Sequence, residues 1–343
     1  MATIFLKLLN MSAAASWLIL AVILLRVILK KMPKSMRCLL WAMVAVRLLC
    51  PVSMESALSL IPNPEPITKE VFYEQRPQIE SGVEIFDESV DPILSETLAA
   101  DPGNSVNPLQ VIIFAGSYLW LIGVAAMGLY AFISYQRVSK KVRFSVSIGE
   151  NQYICDDIGT PFILGIIRPR IYLPSSMEQE NLAHVVAHEK AHIKRRLGFA
   201  ILAVYWFNPL VWLAYIMLCR DIELACDERV IREMGIQEKK AYSQVLLTCS
   251  MSRRMVPACP LAFGEVGVRE RIQSVLQYKK PAFWMVVIAA LALVLVAVCF
   301  LTDPEEKHVF GVNYSVEEVL YDAPQYSFTY TVENAPEYAI TED

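Results

Sequence analysis

The sequence predicts a mainly α membrane protein, with four transmembrane helices and one cytoplasmic α+β domain. Apolar residues make up 55% of the 343 residues and charged residues only 19%. This composition is too apolar for a single soluble core. Four uninterrupted apolar runs approach or exceed the roughly 18 to 20 residues that cross a bilayer. Basic and acidic residues concentrate in different connecting segments between these runs, as expected for a membrane protein.

The first two predicted spans lie at 13–29 and 38–60, within residues 1–60. The first is not expected to be a cleaved signal peptide, because its small residues precede the apolar core and Lys30 and Lys31 close it. A third span is predicted within 108–135 and a fourth within 281–302. Arg47 falls near the middle of the second span. We expect it to form a structural ion pair, for instance with Glu55.

The basic residues of the short flanks predict the orientation of these spans. Lys30, Lys31, Lys34 and Arg37 follow the first span. Arg137, Lys140, Lys141 and Arg143 follow the third span. Arg269, Arg271, Lys279 and Lys280 precede the fourth span. All three groups are predicted to be cytoplasmic. Residues 61–107 carry ten acidic side chains and are predicted to form an external loop. The N-terminus and the tail, residues 303–343, are then external too.

Two function classes are disfavoured by composition. The net charge is -4 and no basic face emerges, so direct binding of nucleic acid is not expected. None of the eight cysteines lies in the predicted external loop or tail, so no disulfide is predicted.

Residues 136–280 form the largest segment between spans and the one long enough for a folded cytoplasmic domain. Alternating, β-branched stretches predict a small sheet, with strands within 142–148, 152–155 and 166–173. Helical periodicity follows at 179–196, 222–234 and 238–249.

An apolar run at 198–219 is long enough for a fifth crossing. Asn208 and Pro209 interrupt it, since asparagine is a good N-cap and proline is favoured at the first helical position. We therefore predict a helical hairpin whose ends return to the cytoplasmic face. One kinked crossing is the alternative.

Three of the four histidines fall within 184–192. On a helix, His188 and His192 project from one face and can bind one metal ion. Glu189 lies beside that face, where it can act as a general base on a water held by the metal. The pattern predicts a zinc site with a catalytic glutamate. His184 forms a rival pair with His188, but no acid follows it, so we interpret it as a bystander.

A third ligand is predicted on the far arm of the hairpin. Glu223 and Asp227 are four residues apart and share a helical face. Glu223 is the predicted third zinc ligand, and Asp227 is predicted to hydrogen-bond a ligand histidine and fix its tautomer. The alternative is a solvated charged face formed by the acidic and basic residues of 220–229.

Five motifs in order resemble the integral-membrane zinc metallopeptidases of the BlaR/MecR antirepressor type. The motifs are Leu-Leu-Cys-Pro-Val-Ser (48–53), Pro-Phe-Ile-Leu-Gly (161–165) with Arg-Pro-Arg-Ile-Tyr-Leu-Pro (168–174), His-Glu-Lys-Ala-His (188–192), Trp-Phe-Asn-Pro-Leu-Val-Trp (206–212) and Glu-Leu-Ala-Cys-Asp-Glu (223–228). The resemblance implies a gluzincin-like peptidase domain with zinc on His188, His192 and Glu223, and with Glu189 as the catalytic acid/base.

Two departures from the family pattern change these expectations. Lys194 to Leu197 contain no aspartate after the second histidine. The tail after Thr302 has 41 residues and the chain has no Ser-x-x-Lys motif, so β-lactam sensing is not carried over.

The function implied by the resemblance is a membrane-embedded zinc metalloendopeptidase that transduces an external signal. Its protein substrate would be a transcriptional repressor or its own cytoplasmic loop, and homodimerisation is left open. A substrate strand is expected to pair along Arg170, Ile171, Tyr172 and Leu173, taken as an exposed sheet edge. The alternatives are a non-catalytic receptor or scaffold with a structural metal, and a quality-control protease of the membrane.

Overall fold

The computed structural model describes residues 1–51, 54–68, 79, 81–97, 108–149, 151–165, 169–177, 185–189, 198–251, 267–304, 314–322 and 325–332. Its helices are α1 (Ala2–Ile28), α2 (Lys34–Leu49), α3 (Glu84–Thr97), α4 (Pro108–Lys141), α5 (helical over 185–189), α6 (Gly198–Val204), α7 (Pro209–Ile231), α8 (Ile236–Met251), α9 (Val268–Leu276) and α10 (Phe283–Phe300). Its strands are β1 (Val146–Gly149), β2 (Gln152–Cys155), β3 (Phe162–Leu164), β4 (Arg170–Pro174), β5 (Tyr314–Asp322) and β6 (Gln325–Val332).

Three helices in the described part of the chain, α1, α4 and α10, are long and apolar enough to cross a membrane. They correspond to the first, third and fourth predicted spans. The predicted span 38–60 is realised as α2, which has 16 residues and is therefore about 24 Å long. It ends at Leu49 because Cys50 is extended and Pro51 follows, and a residue before proline is disfavoured in the helical conformation. A four-span arrangement stays a prediction.

The membrane helices α1 and α10 share one apolar core with α2, α6 and α7. Buried side chains from each of the five helices meet in it, among them Leu18, Leu40, Leu202, Val211 and Ala289. Because lipid tails are as apolar as these side chains, close packing and polar contacts hold such a bundle together more than water exclusion does. The polar contacts are therefore informative.

Asp221 of α7 is the most heavily engaged of these polar groups. Its side chain is fully buried. Arg26 of α1 donates to both carboxylate oxygens, with Nε at 2.9 Å from Oδ2 and Nη2 at 3.0 Å from Oδ1. Trp41 of α2 donates to Oδ2 at 2.9 Å, and Arg37 lies 3.7 Å from Oδ1. One carboxylate thus joins α7 to both α1 and α2.

Residues 198–219 form two helices that meet at Asn208. The Asn208 side chain accepts a hydrogen bond from the backbone of Leu210 at 2.8 Å, and Pro209 occupies the first helical position of α7. The Asn208 amide also donates to the hydroxyls of Ser12 and Ser16, at 2.7 and 3.0 Å. These two hydrogen bonds join the turn to the middle of α1.

The two helices of this segment lie side by side near the turn. Ile201 and Leu202 of α6 line a common cavity with Val211, Ala214 and Leu218 of α7. In a straight helix, residues 201 and 218 would be roughly 25 Å apart. The return of both ends to one membrane face stays a prediction.

The segment predicted to be cytoplasmic contains a four-stranded sheet in the order β1-β2-β4-β3. Strand β2 pairs parallel with β4, and β3 pairs antiparallel with β4. The strand predicted at 152–155 is confirmed as β2. The strand predicted at 166–173 begins later, at Arg170, and β3 was not predicted at all.

The prediction of an exposed edge along β4 is wrong. Arg170, Ile171, Tyr172 and Leu173 pair with β3 on one side or with β2 on the other, so the backbone of β4 has no open row of hydrogen-bonding groups. The side chains of Ile171, Tyr172 and Leu173 are buried. Within this sheet, β1 and β3 are the edge strands.

Arg47 forms an ion pair with Asp303, which follows α10, rather than with Glu55. Glu55 and Asp303 are instead joined by an isolated β-bridge, in which the backbone of Asp303 donates to Met54 and that of Ser56 donates to Asp303. The structural role predicted for Arg47 is confirmed with a different partner.

Residues 305–343 form a separate unit. Its described strands, β5 and β6, pair antiparallel in a hairpin. The residues at 326–332 alternate in the way typical of a strand, and they form part of β6.

We expect that replacing Asp221 with alanine lowers the free energy of unfolding by about 3 kcal/mol or more, because Arg26 and Arg37 then stay buried without their carboxylate. Unfolding of the detergent-solubilised full chain, followed by tryptophan fluorescence, measures the change. Arg220→Ala is the control, since its ion pair with Glu270 is exposed, with side chains 44% and 39% accessible. That variant should change stability by less than about 1 kcal/mol. Equal losses in the two variants would contradict this role of Asp221.

Candidate functional site

The carboxylates predicted on α7 do lie on one face of that helix, toward its C-terminal end. Asp227 is buried, with only 1% of its surface exposed, and the side chain of Glu223 is 22% exposed. This burial excludes the alternative of a fully solvated charged face, at least for Asp221 and Asp227. Buried carboxylates require charged or hydrogen-bonding partners, and the neighbours of Glu223 and Asp227 are drawn from three other helices.

His188 reaches these carboxylates from α5. Val185 and Val186 of this helix are buried in a small apolar core. The core also contains Ile171 and Leu173 of β4 and Val245 of α8. The buried His188 ring then lies between two acids. Its Nδ1 is 3.2 Å from Oδ1 of Asp227, and its Nε2 is 3.5 Å from Oε2 of Glu223. His188 and Asp227 are therefore in contact, and the metal-binding role of His188 stays a prediction.

Two further residues complete the cluster, and sequence reasoning did not predict either of them. The Tyr242 hydroxyl of α8 donates to Oδ1 of Asp227 at 2.8 Å and lies 3.1 Å from Nδ1 of His188. Arg271 of α9 donates to both Asp227 oxygens, at 2.8 Å from Nε and 2.7 Å from Nη2. Its Nη1 is 3.0 Å from Oε2 of Glu223. Arg271 therefore holds both acids of α7.

Burial and the charges of this cluster shift the pKa values of His188, Asp227 and Tyr242. Burial alone would lower the pKa of His188, but hydrogen bonds to Asp227 and Glu223 outweigh it and raise the pKa to about 9. Burial would raise the pKa of Asp227, but hydrogen bonds from Arg271 and His188 outweigh it, and the pKa is lowered. Burial and Asp227 raise the pKa of Tyr242, so its hydroxyl stays a neutral donor. The two carboxylates thus favour the protonated form of the His188 ring.

Glu189 lies beside His188 at a small cavity of about 50 Å³. Thr160, Pro161, Tyr242 and Arg271 also line it. A polar cavity of this size can hold at least one water molecule. The predicted general base therefore faces the same space as the predicted metal ligand.

The structure does not describe all of the residues that the sequence predicts for the site. His192 and His184 lie outside the described residues, and so does most of the helix predicted at 179–196. Among the residues that the structure describes, no three His, Cys, Asp or Glu side chains are arranged to hold a metal ion by themselves. The predicted ligand set includes His192, so it is not tested as a set.

The spacing of His188 and Glu223, the two predicted zinc ligands that the structure describes, is compatible with one zinc ion. Two ligand atoms at about 2.0 to 2.2 Å from one tetrahedral zinc ion are roughly 3.4 Å apart. The 3.5 Å between Nε2 of His188 and Oε2 of Glu223 agrees with that spacing. Nδ1 of the same ring is engaged by Asp227 and Tyr242, as expected for a metal-binding histidine whose second nitrogen is fixed by a hydrogen bond.

We expect Arg271→Ala to destabilise the protein by about 3 kcal/mol or more, because removal of the guanidinium leaves Asp227 buried without its main cation. Arg269→Ala on the same helix is the control. Arg269 is exposed, and its removal should change the free energy of unfolding by less than about 0.5 kcal/mol. Arg271→Lys should recover only part of the loss, since lysine cannot make the two parallel hydrogen bonds. Full stability of Arg271→Ala would show that the cluster does not depend on this residue.

Comparison with known proteins covers most of the chain. Residues 6–275 match the family described as BlaR1 peptidase M56. The regulatory protein BlaR1 of Bacillus licheniformis is 25% identical over 212 residues, which are 52% of this chain and 35% of that protein. Methicillin resistance mecR1 proteins of Staphylococcus aureus and Staphylococcus epidermidis are 24% identical over 136 residues. These cover 36% of this chain and 23% of each relative, so the chain matches about a quarter to a third of the length of these relatives.

The family match extends from α1 into α9 and includes both α5, with His188, and α7, with Glu223 and Asp227. A match of this extent shows the family, and this chain belongs to the BlaR1 peptidase M56 family.

Proposed function

We propose that the protein is a membrane-embedded zinc metalloendopeptidase that transduces an external signal by cleaving a cytoplasmic repressor, itself, or both. The observation that carries the proposal is the 3.5 Å separation of His188 Nε2 and Glu223 Oε2, beside a cavity that Glu189 also lines. Membership of a peptidase family supports it. The proposed zinc ligands are His188, His192 and Glu223.

The proposed mechanism assigns a role to each side chain of the site. Bound zinc would supply Lewis acidity for the scissile carbonyl and for the attacking water. Glu189 takes a proton from that water and returns it to the leaving amine. Asp227 and Tyr242 hold His188 through Nδ1, so that Nε2 points toward Glu223. Arg271 fixes Glu223 and Asp227 through its own hydrogen bonds and charge.

The substrate strand is proposed to pair with β3. This strand is an edge of the sheet, and Thr160 and Pro161, which directly precede it, line the cavity with His188 and Glu189. A peptide that pairs with β3 would extend past the general base. In this arrangement β4, with Arg170, Ile171, Tyr172 and Leu173, would pair with β3 on the side away from the substrate. Its backbone would not contact the substrate directly.

The proposed topology places the peptidase segment, residues 136–280, in the cytoplasm and the N-terminus outside. The basic groups at the ends of α1, α4 and α9 support this orientation. The names of the relatives, a regulatory protein and methicillin resistance proteins, support a signalling role for this chain.

Glu189→Gln should abolish proteolysis and keep bound zinc, because the amide cannot accept the proton but the ligands are untouched. We expect the cleavage rate to fall by about a hundredfold or more. Comparative proteomics of cells with wild type and variant measures cleavage, and elemental analysis of the purified proteins measures zinc. Glu233→Gln, at an exposed position after α7, is the control and should cleave normally. Identical cleavage by wild type and Glu189→Gln would favour a non-catalytic receptor with a structural metal.

His188→Ala and Glu223→Ala should each lose most of the bound zinc, because each removes one of three proposed ligands. His184→Ala is the matched control and should keep it, since His184 is interpreted as a bystander. Elemental analysis after dialysis against a weak chelator measures the zinc content. Zinc lost by His184→Ala as well as by His188→Ala would instead favour the rival pair of His184 and His188.

A further inference from the structure

A basic cleft lies where α1 ends and α10 begins. Its cavity of about 730 Å³ is lined by Lys30 and Lys31 after α1, Lys34 at the start of α2, and Lys279 and Lys280 before α10. The cleft also contains two carboxylates, Glu228 and Glu270. Lysines therefore exceed acids by three in one concave site, which favours an anionic occupant.

Both acids are directed to other partners. Glu228 accepts a hydrogen bond from the backbone of Lys34 at 2.8 Å, and Glu270 forms an ion pair with Arg220. Burial lowers the pKa of Lys34, and the positive charge of Arg37 lowers it further. An anion in the cleft would offset this unfavourable environment.

The cleft opens into an apolar groove between the same two helices. A second cavity of about 290 Å³ is lined by Lys30, Lys31, Met32 and Met285, which it shares with the basic cleft, and it continues along Ile28, Leu29, Ile288 and Ala289. Since α1 and α10 are both long and apolar enough to span a membrane, this groove follows the hydrocarbon layer.

Aromatic side chains mark the level of the cleft in the bilayer. Phe283 and Trp284 begin α10, separated by two residues from the pair Lys279 and Lys280, and are 73% and 72% exposed. Tryptophan and other aromatic residues gather at the headgroup level of membranes. The basic cleft therefore lies at the depth of lipid phosphates, and the groove at the depth of acyl chains.

We propose that this cleft binds one anionic phospholipid, with its phosphate among Lys30, Lys31, Lys279 and Lys280 and an acyl chain in the groove between α1 and α10. The polar side chains of Gln273, Ser274 and Gln277 on α9 also line the cleft and can hydrogen-bond headgroup hydroxyls. Basic pockets between membrane helices bind anionic headgroups in this way. The continuity of a basic and an apolar cavity distinguishes a lipid from a soluble anion, which would need only the first.

This site does not depend on the proposed peptidase activity, but it shares α9 with the catalytic cluster. Arg271 of α9 contacts Asp227 and Glu223, while Gln273, Ser274 and Gln277 of the same helix line the lipid cleft. The bound lipid would therefore contact the helix that positions both acids.

Native mass spectrometry of the detergent-solubilised full chain tests the proposal, with phosphatidylglycerol and phosphatidylcholine as probes. Wild type should retain phosphatidylglycerol selectively. Replacement of Lys30, Lys31, Lys279 and Lys280 by alanine should weaken its binding by about a hundredfold. The control replaces Arg137, Lys140, Lys141 and Arg143 at the end of α4, which removes the same charge outside the cleft and should weaken binding by less than about threefold. Size-exclusion profiles check that both variants fold.

Met285→Trp tests the groove separately, because it fills the apolar cavity and leaves the four lysines in place. It should also lose phosphatidylglycerol, and glycerol 3-phosphate, which has no acyl chain, should fail to displace the lipid from wild type. Equal losses in the cleft and α4 variants would overturn the proposal in favour of general surface charge. Efficient displacement by glycerol 3-phosphate would overturn it in favour of a soluble anion site.

Discussion

The buried carboxylate of Asp221 fixes the geometry from which the rest of the structure follows. A carboxylate is costly to bury in an apolar bundle unless cations and donors surround it. Arg26, Trp41 and Arg37 supply them from two other helices, so only one rotation and depth of α7 satisfies all the contacts. Glu223 and Asp227 follow on the same helix, and their positions are therefore set by an ion pair at the membrane-facing side of the fold.

A second polar network continues from the first along α7. Arg271, Tyr242 and His188 surround Asp227, and each comes from a different helix. The network keeps one histidine nitrogen occupied and directs the other toward Glu223. Because Arg271 contacts both acids, the geometry of the carboxylates does not depend on the histidine alone. Two carboxylates beside one imidazole are what the proposed zinc site requires, and Arg271 keeps both in position.

The local features were predictable from the sequence, and the distant partners were not. Four-residue spacing was enough to place Glu223 and Asp227 on one face, and the Asn208-Pro209 pair was enough to place the start of α7. Tyr242 and Arg271 lie 15 and 44 residues from Asp227, and no spacing rule connects them to it. The partner of Arg47 is 256 residues away. The central position of β4 also escaped prediction, since alternation identifies a strand but not its neighbours.

The unbroken length of α7 has a mechanical consequence. Its 23 residues form a rod of about 35 Å, capped by Asn208 against Ser12 and Ser16 of α1 and carrying the acids of the candidate site in its second half. A hydrogen-bonded helix transmits axial displacement with little compression. A sliding movement of α1 would therefore displace Glu223 and Asp227 together along the axis of α7, and it would act directly on their contacts with His188 and Arg271.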